Sequence, residues 1–418
     1  MAIRVVVVGG GAAGGACARA LAATAETDGY VLDVTVVSVE ARRPYNRTTV
    51  NKGLLSGAAG EHEITLAELD HPDIRWLLDV AAVGLDAHSR TVTLSTGREL
   101  AADAVVIATG AQPRGLDADI DPAAAHRVLP LRTPAHTARL RQLAAAGPVV
   151  VAGAGLIGSE VPASLQQLGC AVTLVDPADH PLSGHVGPLV GTWAADTLTA
   201  QGVVLHMGAT VAAVRAPGGQ RQPLTVTLSD GTVLPAAAVV SAVGARLDTD
   251  WLAGSGIAEH PSAAGLLVDG EQRVVGHSGL YAAGDLAARP GATSPIRLEH
   301  WGEALRQGRR AARTVLTDLN LYGGEPDDAA STAEVVSFST YLGPIKLTML
   351  GSPGRDRAEH VVFGAPDQQR FLVAYTLDEA VVGAVGVGGA RAANRIKPLV
   401  ARGADLDDVR GVLRALAG

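Results

Sequence analysis

Short continuous apolar runs alternate with longer Ala/Leu-rich stretches through about residue 320 of the chain. That alternation predicts strand after helix after strand, and so an α/β fold with parallel sheets covered by helices. Val5-Val6-Val7-Val8 and Val149-Val150-Val151-Ala152 are the clearest strands, and each runs straight into glycines. Beyond residue 320 the pattern changes. All three Phe of the chain, Phe338, Phe363 and Phe371, fall there, in β-rich segments expected at 335–350, 360–363 and 371–387, with helices at 390–402 and 405–417. The polar stretch 322–332, with Gly323, Gly324 and Pro326, reads as a linker into this smaller α+β domain.

One repeat stands out. Gly9-x-Gly11-x-x-Gly14 follows the first valine run and Gly153-x-Gly155-x-x-Gly158 follows the second. With 50 glycines in the chain, roughly 0.7 such triplets would arise by accident, so the spacing alone carries little. Its context carries more, because both copies leave an apolar strand and open an Ala/Leu-rich helix. There the glycines allow a tight turn and let a pyrophosphate approach the helix N-terminus. Such a fold then wants an acid at the end of its second strand to accept from ribose hydroxyls. The run 172–175 ends in Asp176, 18 residues after Gly158. In the first copy the run 34–39 ends in Glu40, 26 residues after Gly14, with 24–29 read as an insertion before the strand. Two dinucleotide folds imply two dinucleotides, and hydride exchange between a flavin and a nicotinamide explains both. Pro177-Ala178-Asp179-His180 follows Asp176 without an Arg to receive a 2′-phosphate, which favours NADH over NADPH.

Composition narrows the partners. The chain has 418 residues, 47% hydrophobic and 18% charged, enough for two or three packed domains and too apolar for general disorder. A formal charge of −8 argues against a nonspecific nucleic-acid or membrane-surface binder. The two cysteines, Cys17 and Cys170, form no CxxC pair, so no disulfide framework and no dithiol chemistry is expected. The histidines show no ligand spacing and no metal is expected. No apolar run reaches membrane-spanning length and the N-terminus reads as a strand, not a signal peptide, so a cytoplasmic protein is the expectation.

The chain resembles the two-dinucleotide flavoproteins, most closely the ferredoxin reductases that serve bacterial P450s and ring-hydroxylating dioxygenases. The likeness is carried by Glu40-x-x-x-Pro44-Tyr45-x-Arg47 leading to Lys52, by Asp103-x-Val105-Val106-Ile107-Ala108-Thr109-Gly110, by Gly158-Ser159-Glu160, by Tyr281-Ala282-Ala283-Gly284-Asp285, and by Arg297-x-Glu299-His300-Trp301 with Gln307-Gly308. It implies two Rossmann-like domains, for FAD and NAD, plus a C-terminal α+β domain. The boundaries expected are 1–115 and 241–321 for the flavin domain, 116–240 for the NAD domain and 326–418 for the last. It implies flavin contacts at Gly9, Gly11, Ala13, Gly14, Glu40, Arg47, Lys52, Thr109, Gly110, Arg114, Gly284, Asp285, Glu299, His300 and Trp301. NAD contacts are implied at Gly153, Gly155, Leu156, Ile157, Gly158, Glu160, Asp176 and Gly244. Lys52, one of three lysines in the chain, is expected to pair with Glu160 beside the reactive ring, where it would polarise the flavin.

Three departures from the family pattern matter. Phe338-Ser339-Thr340 stands where the family has Phe-Trp-Ser, so the usual indole is absent unless Tyr341 substitutes; Thr48-Thr49-Val50-Asn51-Lys52 replaces the usual proline-rich run ending in Ser-Lys; and Pro162 sits early in the helix expected to present Glu160. The resemblance implies a monomer passing single electrons to a [2Fe–2S] ferredoxin. Arg306, Arg309, Arg310 and Arg313, spaced along one helix face, would offer such an acidic protein a basic surface, with Arg391, Arg395, Lys397 and Arg402 as a possible extension. Direct reduction of a quinone, another small molecule or oxygen is the alternative that the missing indole favours. A redox-signalling role similar to apoptosis-inducing factor is a third.

Overall fold

The computed structural model describes residues 2–218, 222–257, 265–290, 295–321 and 335–414. The linker read at 322–332, His260 and the end of the helix expected at 405–417 lie outside the described residues. By contacts the chain divides into two units: Met1–Asn46, His62–Gln112 and Ala245–Ser331 form one, and Arg47–Glu61, Pro113–Gly244 and Thr332–Gly418 the other.

The first unit is built on a five-stranded sheet in the order Leu280–Ala282, Ala104–Ile107, Ile3–Val8, Leu32–Ser38, Ile74–Leu78. Every pairing in it is parallel. Successive side chains of a strand point to opposite faces, so Val5 and Val7 enter one core while Val6 and Val8 enter another. The first of these cores is closed by α1 (Ala12–Asp28) and α6 (Trp301–Asp318). Gly308 of α6 lies so near α1 that a Cβ there would strike the carbonyl of Ala13. The residues read as an insertion before the second strand are instead the last turns of α1, which ends at Asp28 and is capped by Gly29 in the left-handed conformation. Thr24, Ala25, Glu26, Thr27 and Asp28 contain no helix breaker, and Ala25 is buried, so the helix is simply longer than the spacing suggested.

The second unit repeats the theme. Its parallel sheet runs Val128–Pro130, Ala238–Ser241, Val149–Ala152, Val172–Asp176, Val204–Met207. The helices α2 (Gly53–Ser56), α3 (Pro134–Ala144), α4 (Leu156–Gln166) and α5 (Pro188–Ala200) also belong to this unit. Pro162 lies inside α4, which continues past it to Gln166. The C-terminal sheet is antiparallel, ordered Ser337–Leu342, Ile345–Gly351, Ala380–Val387, Arg370–Leu377, Ala358–Ala365, and packs on α7 (Ala390–Ala401) and α8 (Leu406–Arg414). It is fastened to α5 within the same unit. Trp193 meets Phe371 edge to face at 5.7 Å, and Glu359 accepts from the Leu189 N–H at 2.9 Å, occupying an otherwise unpaired donor in the first turn of that helix. Burial pushes the Tyr375 hydroxyl well above its ordinary pKa, so it stays protonated while it accepts from the Gly187 N–H.

Candidate active site: two glycine turns and a buried ion pair

In each fingerprint the outer glycines are demanded by the chain and the middle one faces open space. Gly9 (φ +117°) and Gly153 (φ +99°) hold backbone conformations in which a side chain is strained. A Cβ on either would also strike a neighbouring carbonyl, that of Ala108 or Ala242. A Cβ on Gly14 or Gly158 would collide with the carbonyl of its own first glycine. At Gly11 and Gly155, in contrast, nothing lies within 4 Å of an added Cβ. These two glycines are the N-caps of α1 and α4, and neither helix has a side-chain cap. Backbone donors thus face open space beside the positive end of a helix dipole, which is the chemistry a pyrophosphate fits.

The acids after the second strands lie as the fold requires but are held differently. Glu40 Oε2 accepts from the Tyr45 hydroxyl at 2.7 Å. Asp176 accepts from two backbone donors, Ala154 N at 2.6 Å and Ala178 N at 2.8 Å. A carboxylate has about four acceptor positions, so Asp176, with these two bonds, retains capacity for ribose hydroxyls.

The other first-unit residues form two groups. Thr109 donates to the Asp248 carbonyl at 2.6 Å, and the Gly110 carbonyl accepts from Asp248 N at 3.0 Å. Gly284 has φ +89°, its N–H donates to Gln307 at 2.8 Å, and the Asp285 carbonyl accepts from Arg297 at 2.8 Å. Glu299 is exposed and bound to Arg297 at 2.7 Å. His300 is the N-cap of α6, and burial together with the nearby Arg306 charge lowers its imidazole pKa against an opposing effect of Glu303, so the ring is neutral at pH 7. Trp301 packs with Ala16, Leu66, Leu69 and Leu305, yet its Nε1 is buried without an acceptor. A buried orphan donor costs free energy unless something supplies the acceptor, and a cofactor heteroatom is such a group.

Arg47, Lys52 and Arg114, expected from the resemblance to serve the flavin, belong to the second unit. Arg47 donates to the Arg132 carbonyl at 3.3 Å. Arg114 is exposed, and its backbone bonds Gly244 and Ser241. Leu156 and Ile157 open α4, and Ile157 is exposed.

Lys52 Nζ lies 3.0 Å from Glu160 Oε2. Spacing in the sequence could not reveal what holds that carboxylate. Its Oε2 also accepts from Asn51 Nδ2 at 2.7 Å, while Oε1 accepts from Thr340 Oγ1 at 2.7 Å and from Tyr341 N at 3.2 Å. Glu160 is 7% exposed, and a buried charge is tolerated only when paired and hydrogen-bonded as this one is. The Tyr341 ring, on the first strand of the C-terminal sheet, sits 5.9 Å from the Lys52 ammonium, within cation–π range. Asn51, Thr340 and Tyr341 therefore complete a site whose outline was Lys52 and Glu160.

Both cysteines are free and buried. Burial pushes the Cys17 thiol up to about 12 and raises Cys170 as well, so neither offers a thiolate. Among the described residues no His/Cys/Asp/Glu group is arranged to hold a metal, and no helix is long and apolar enough to cross a membrane.

Two nucleotide folds, uncapped glycine turns and an ordered ion pair define a dinucleotide-dependent oxidoreductase. The chain belongs to the pyridine nucleotide-disulphide oxidoreductase family, which it matches over residues 3–308. It pairs a flavin with NAD(H), although neither of its cysteines is set up for the disulphide chemistry in the family's description. It is 31% identical over 357 residues to the ferredoxin–NAD(+) reductase component of the p-cumate 2,3-dioxygenase system of Pseudomonas putida, covering 85% of this chain and 82% of that protein. Against the ferredoxin reductase component of chlorobenzene dioxygenase from Cupriavidus sp. (strain PS12) it is 30% identical over 399 residues, covering 91% and 93%. Its fold is similar to putidaredoxin reductase in the crystal structure of that protein's covalent complex with putidaredoxin, with a TM-score of 0.85, 25% identity and coverage of 100% and 99%.

Proposed function

We propose that this protein oxidises NADH and delivers the electrons one at a time to a [2Fe–2S] ferredoxin that serves an oxygenase. The observation that carries this reading is the ion pair between Lys52 and the buried Glu160, which stands on the helix that the second glycine turn opens. FAD held by the first unit would supply the conversion from hydride to single electrons. The chain supplies placement and charge. Gly11 and Gly155 leave room for two pyrophosphates, Glu40 and Asp176 would accept from the adenosine riboses, and Asp285 would meet the flavin side chain. As the family resemblance implies, Lys52 would offer the flavin a positive charge, and Glu160 holds that side chain through their ion pair at 3.0 Å. Asn51 and Thr340 hold the Glu160 carboxylate, so no reorganisation is needed when the nicotinamide arrives.

NADH is preferred over NADPH on this reading. Asp176 and the exposed Asp179 would face a 2′-phosphate with negative charge, and no arginine stands among residues 177–180. For the acceptor, the ferredoxin assignment follows the relatives' roles and the exposed Arg309 on α6. One of the four arginines of that helix, Arg306, is drawn into an ion pair with Glu303 at 2.6 Å. Direct reduction of a small molecule is supported by one feature, Ser339 in the place of an indole.

The test is NADH and NADPH oxidation by the purified protein, with and without a [2Fe–2S] ferredoxin coupled to cytochrome c. A ferredoxin-dependent rate with NADH supports the reading. Rapid flavin reduction with no ferredoxin response transfers it to small acceptors.

A further inference from the structure

The first unit buries a carboxylate that the proposed reaction does not use. Glu303, in the first turn of α6, is 7% exposed. Its Oε2 accepts from Arg306 at 2.6 Å, and its Oε1 accepts from Gln307 Nε2 at 3.0 Å and lies 3.5 Å from Arg289. Burial pushes the Glu303 carboxyl up, but the hydrogen bonds from Gln307 and Arg306 and the charges of Arg289 and Arg306 outweigh it and hold the group below its ordinary value. Glu303 is therefore ionised at neutral pH and can only accept.

That property fixes its neighbour. Gln307 is 2% exposed, and its Oε1 accepts from the Gly284 N–H at 2.8 Å. A side-chain amide has one donating and one accepting end, and turned over it would set its NH₂ against the Gly284 N–H and its oxygen against the Glu303 carboxylate. Against a carboxylate only one orientation works, with Nε2 on Glu303 and Oε1 on Gly284. Arg297 holds the other side of the same turn through the Asp285 carbonyl at 2.8 Å. The turn also lies against the first fingerprint, since a Cβ on Gly284 would come within 3.2 Å of the Ala13 methyl.

We propose that Glu303 is a positioning residue for the flavin: as an obligate acceptor it locks the Gln307 amide, and through it the Gly284-Asp285 turn, in the conformation that binds the cofactor. The inference rests on the reading that the first unit holds FAD. It needs no contact between Glu303 and the cofactor. Glutamine at this position would keep the size and one acceptor but add a donor, which lets Gln307 turn over and leaves the Gly284 N–H unpaired part of the time.

The test is the rate of FAD release from the full-length holoprotein, followed by recovery of free-flavin fluorescence on dilution, together with the visible circular dichroism of the bound flavin and the melting temperature. Glu303→Ala and the near-isosteric Gln307→Met should each release FAD about tenfold faster, since each removes one buried hydrogen-bonded link. Glu303→Gln should lie between them and the wild type, at roughly two- to fivefold. The flavin dichroism should change in all three while the melting temperature of Gln307→Met stays near that of the wild type. Release within twofold of the wild type for both Glu303→Ala and Gln307→Met overturns the proposal. So does acceleration with unaltered dichroism that follows only a fall in melting temperature. A wild-type protein that holds no flavin at all removes the underlying assignment of the first unit, and its absorption spectrum reveals that before any variant is made.

Discussion

At Gly14 and at Gly158 an added Cβ would strike the carbonyl of the fingerprint's own first glycine, so the two turns close in the same way. What surrounds them differs. The first opens a helix of 17 residues packed against α6, whose Gln307 and Gly308 reach both the Gly284 turn and Ala13. The second opens a helix of 11 residues that carries a buried charge, Glu160, two positions after its last glycine. In the first unit polar and small side chains brace the loops that would hold a cofactor. In the second they brace an ion pair. The two turns are alike locally, and what converges behind them differs: an amide held by a buried carboxylate would suit a cofactor that stays, and an ammonium held by one would suit chemistry on a coenzyme that comes and goes.

Breaking one turn at a time separates these roles most sharply. Gly14→Val should lower the FAD content of the purified protein by more than about tenfold, while Gly158→Val should retain FAD and slow its anaerobic reduction by NADH by on the order of 100-fold. Absorbance at the flavin band and stopped-flow reduction read the two effects, and equal loss of flavin in both variants would break the comparison. Removing the charge that distinguishes α4 comes next. Glu160→Ala leaves Lys52 without its carboxylate, and flavin reduction should slow on the order of 10- to 100-fold with FAD content unchanged.

A smaller effect tests the reach of the C-terminal sheet into that site. Thr340→Val keeps the shape of the side chain but deletes one of the bonds to Glu160, so reduction should slow by about 3- to 10-fold, and Thr340→Ser should restore it. Equal rates in both variants would show that Glu160 needs no help from this strand. The smallest effect belongs to the first unit alone. Asp318, at the end of α6, accepts from Arg273 and from Tyr281, the middle residue of the strand that leads to the Gly284 turn. The Arg273 hydrogen bond is the main reason that the Asp318 carboxyl lies below its ordinary 3.8, with partial burial opposing and Tyr281 assisting. A carboxyl lowered on folding stabilises the fold above its unfolded pKa, and the contribution is lost as pH falls through the folded value. Asp318→Asn should therefore cost about 1 kcal/mol at pH 7, with the difference from wild type shrinking below roughly pH 4 in urea melts.

Much of this architecture is legible along the chain because its signals are local. A valine run followed by spaced glycines specifies a strand, a turn and a helix within about 20 residues, and the same words occur twice. The length of α1 is not legible for a related reason: helix and insertion can share a composition, and only the left-handed Gly29 marks the end. Lys52 and Glu160 were paired through the family resemblance, with no help from their spacing. Thr340 and Tyr341 stand out only beside the missing indole; nothing in the sequence ties them to Glu160, about 180 residues away. Nothing in the sequence singles out Glu303 among the charged residues of its helix. Its burial depends on how α6 lies on α1, which no residue of α6 states by itself.

The sequence by itself determined the two nucleotide folds, the uncapped turns and the residue types available for charge and ribose binding, because turn geometry and strand burial are settled by near neighbours. Tertiary structure alone decided which polar atoms face which. It set Asn51, Thr340 and Tyr341 around one carboxylate and Arg289, Arg306 and Gln307 around another. The physical reason is that a buried charge must be satisfied from every side, and its partners arrive from strands and helices remote in the chain.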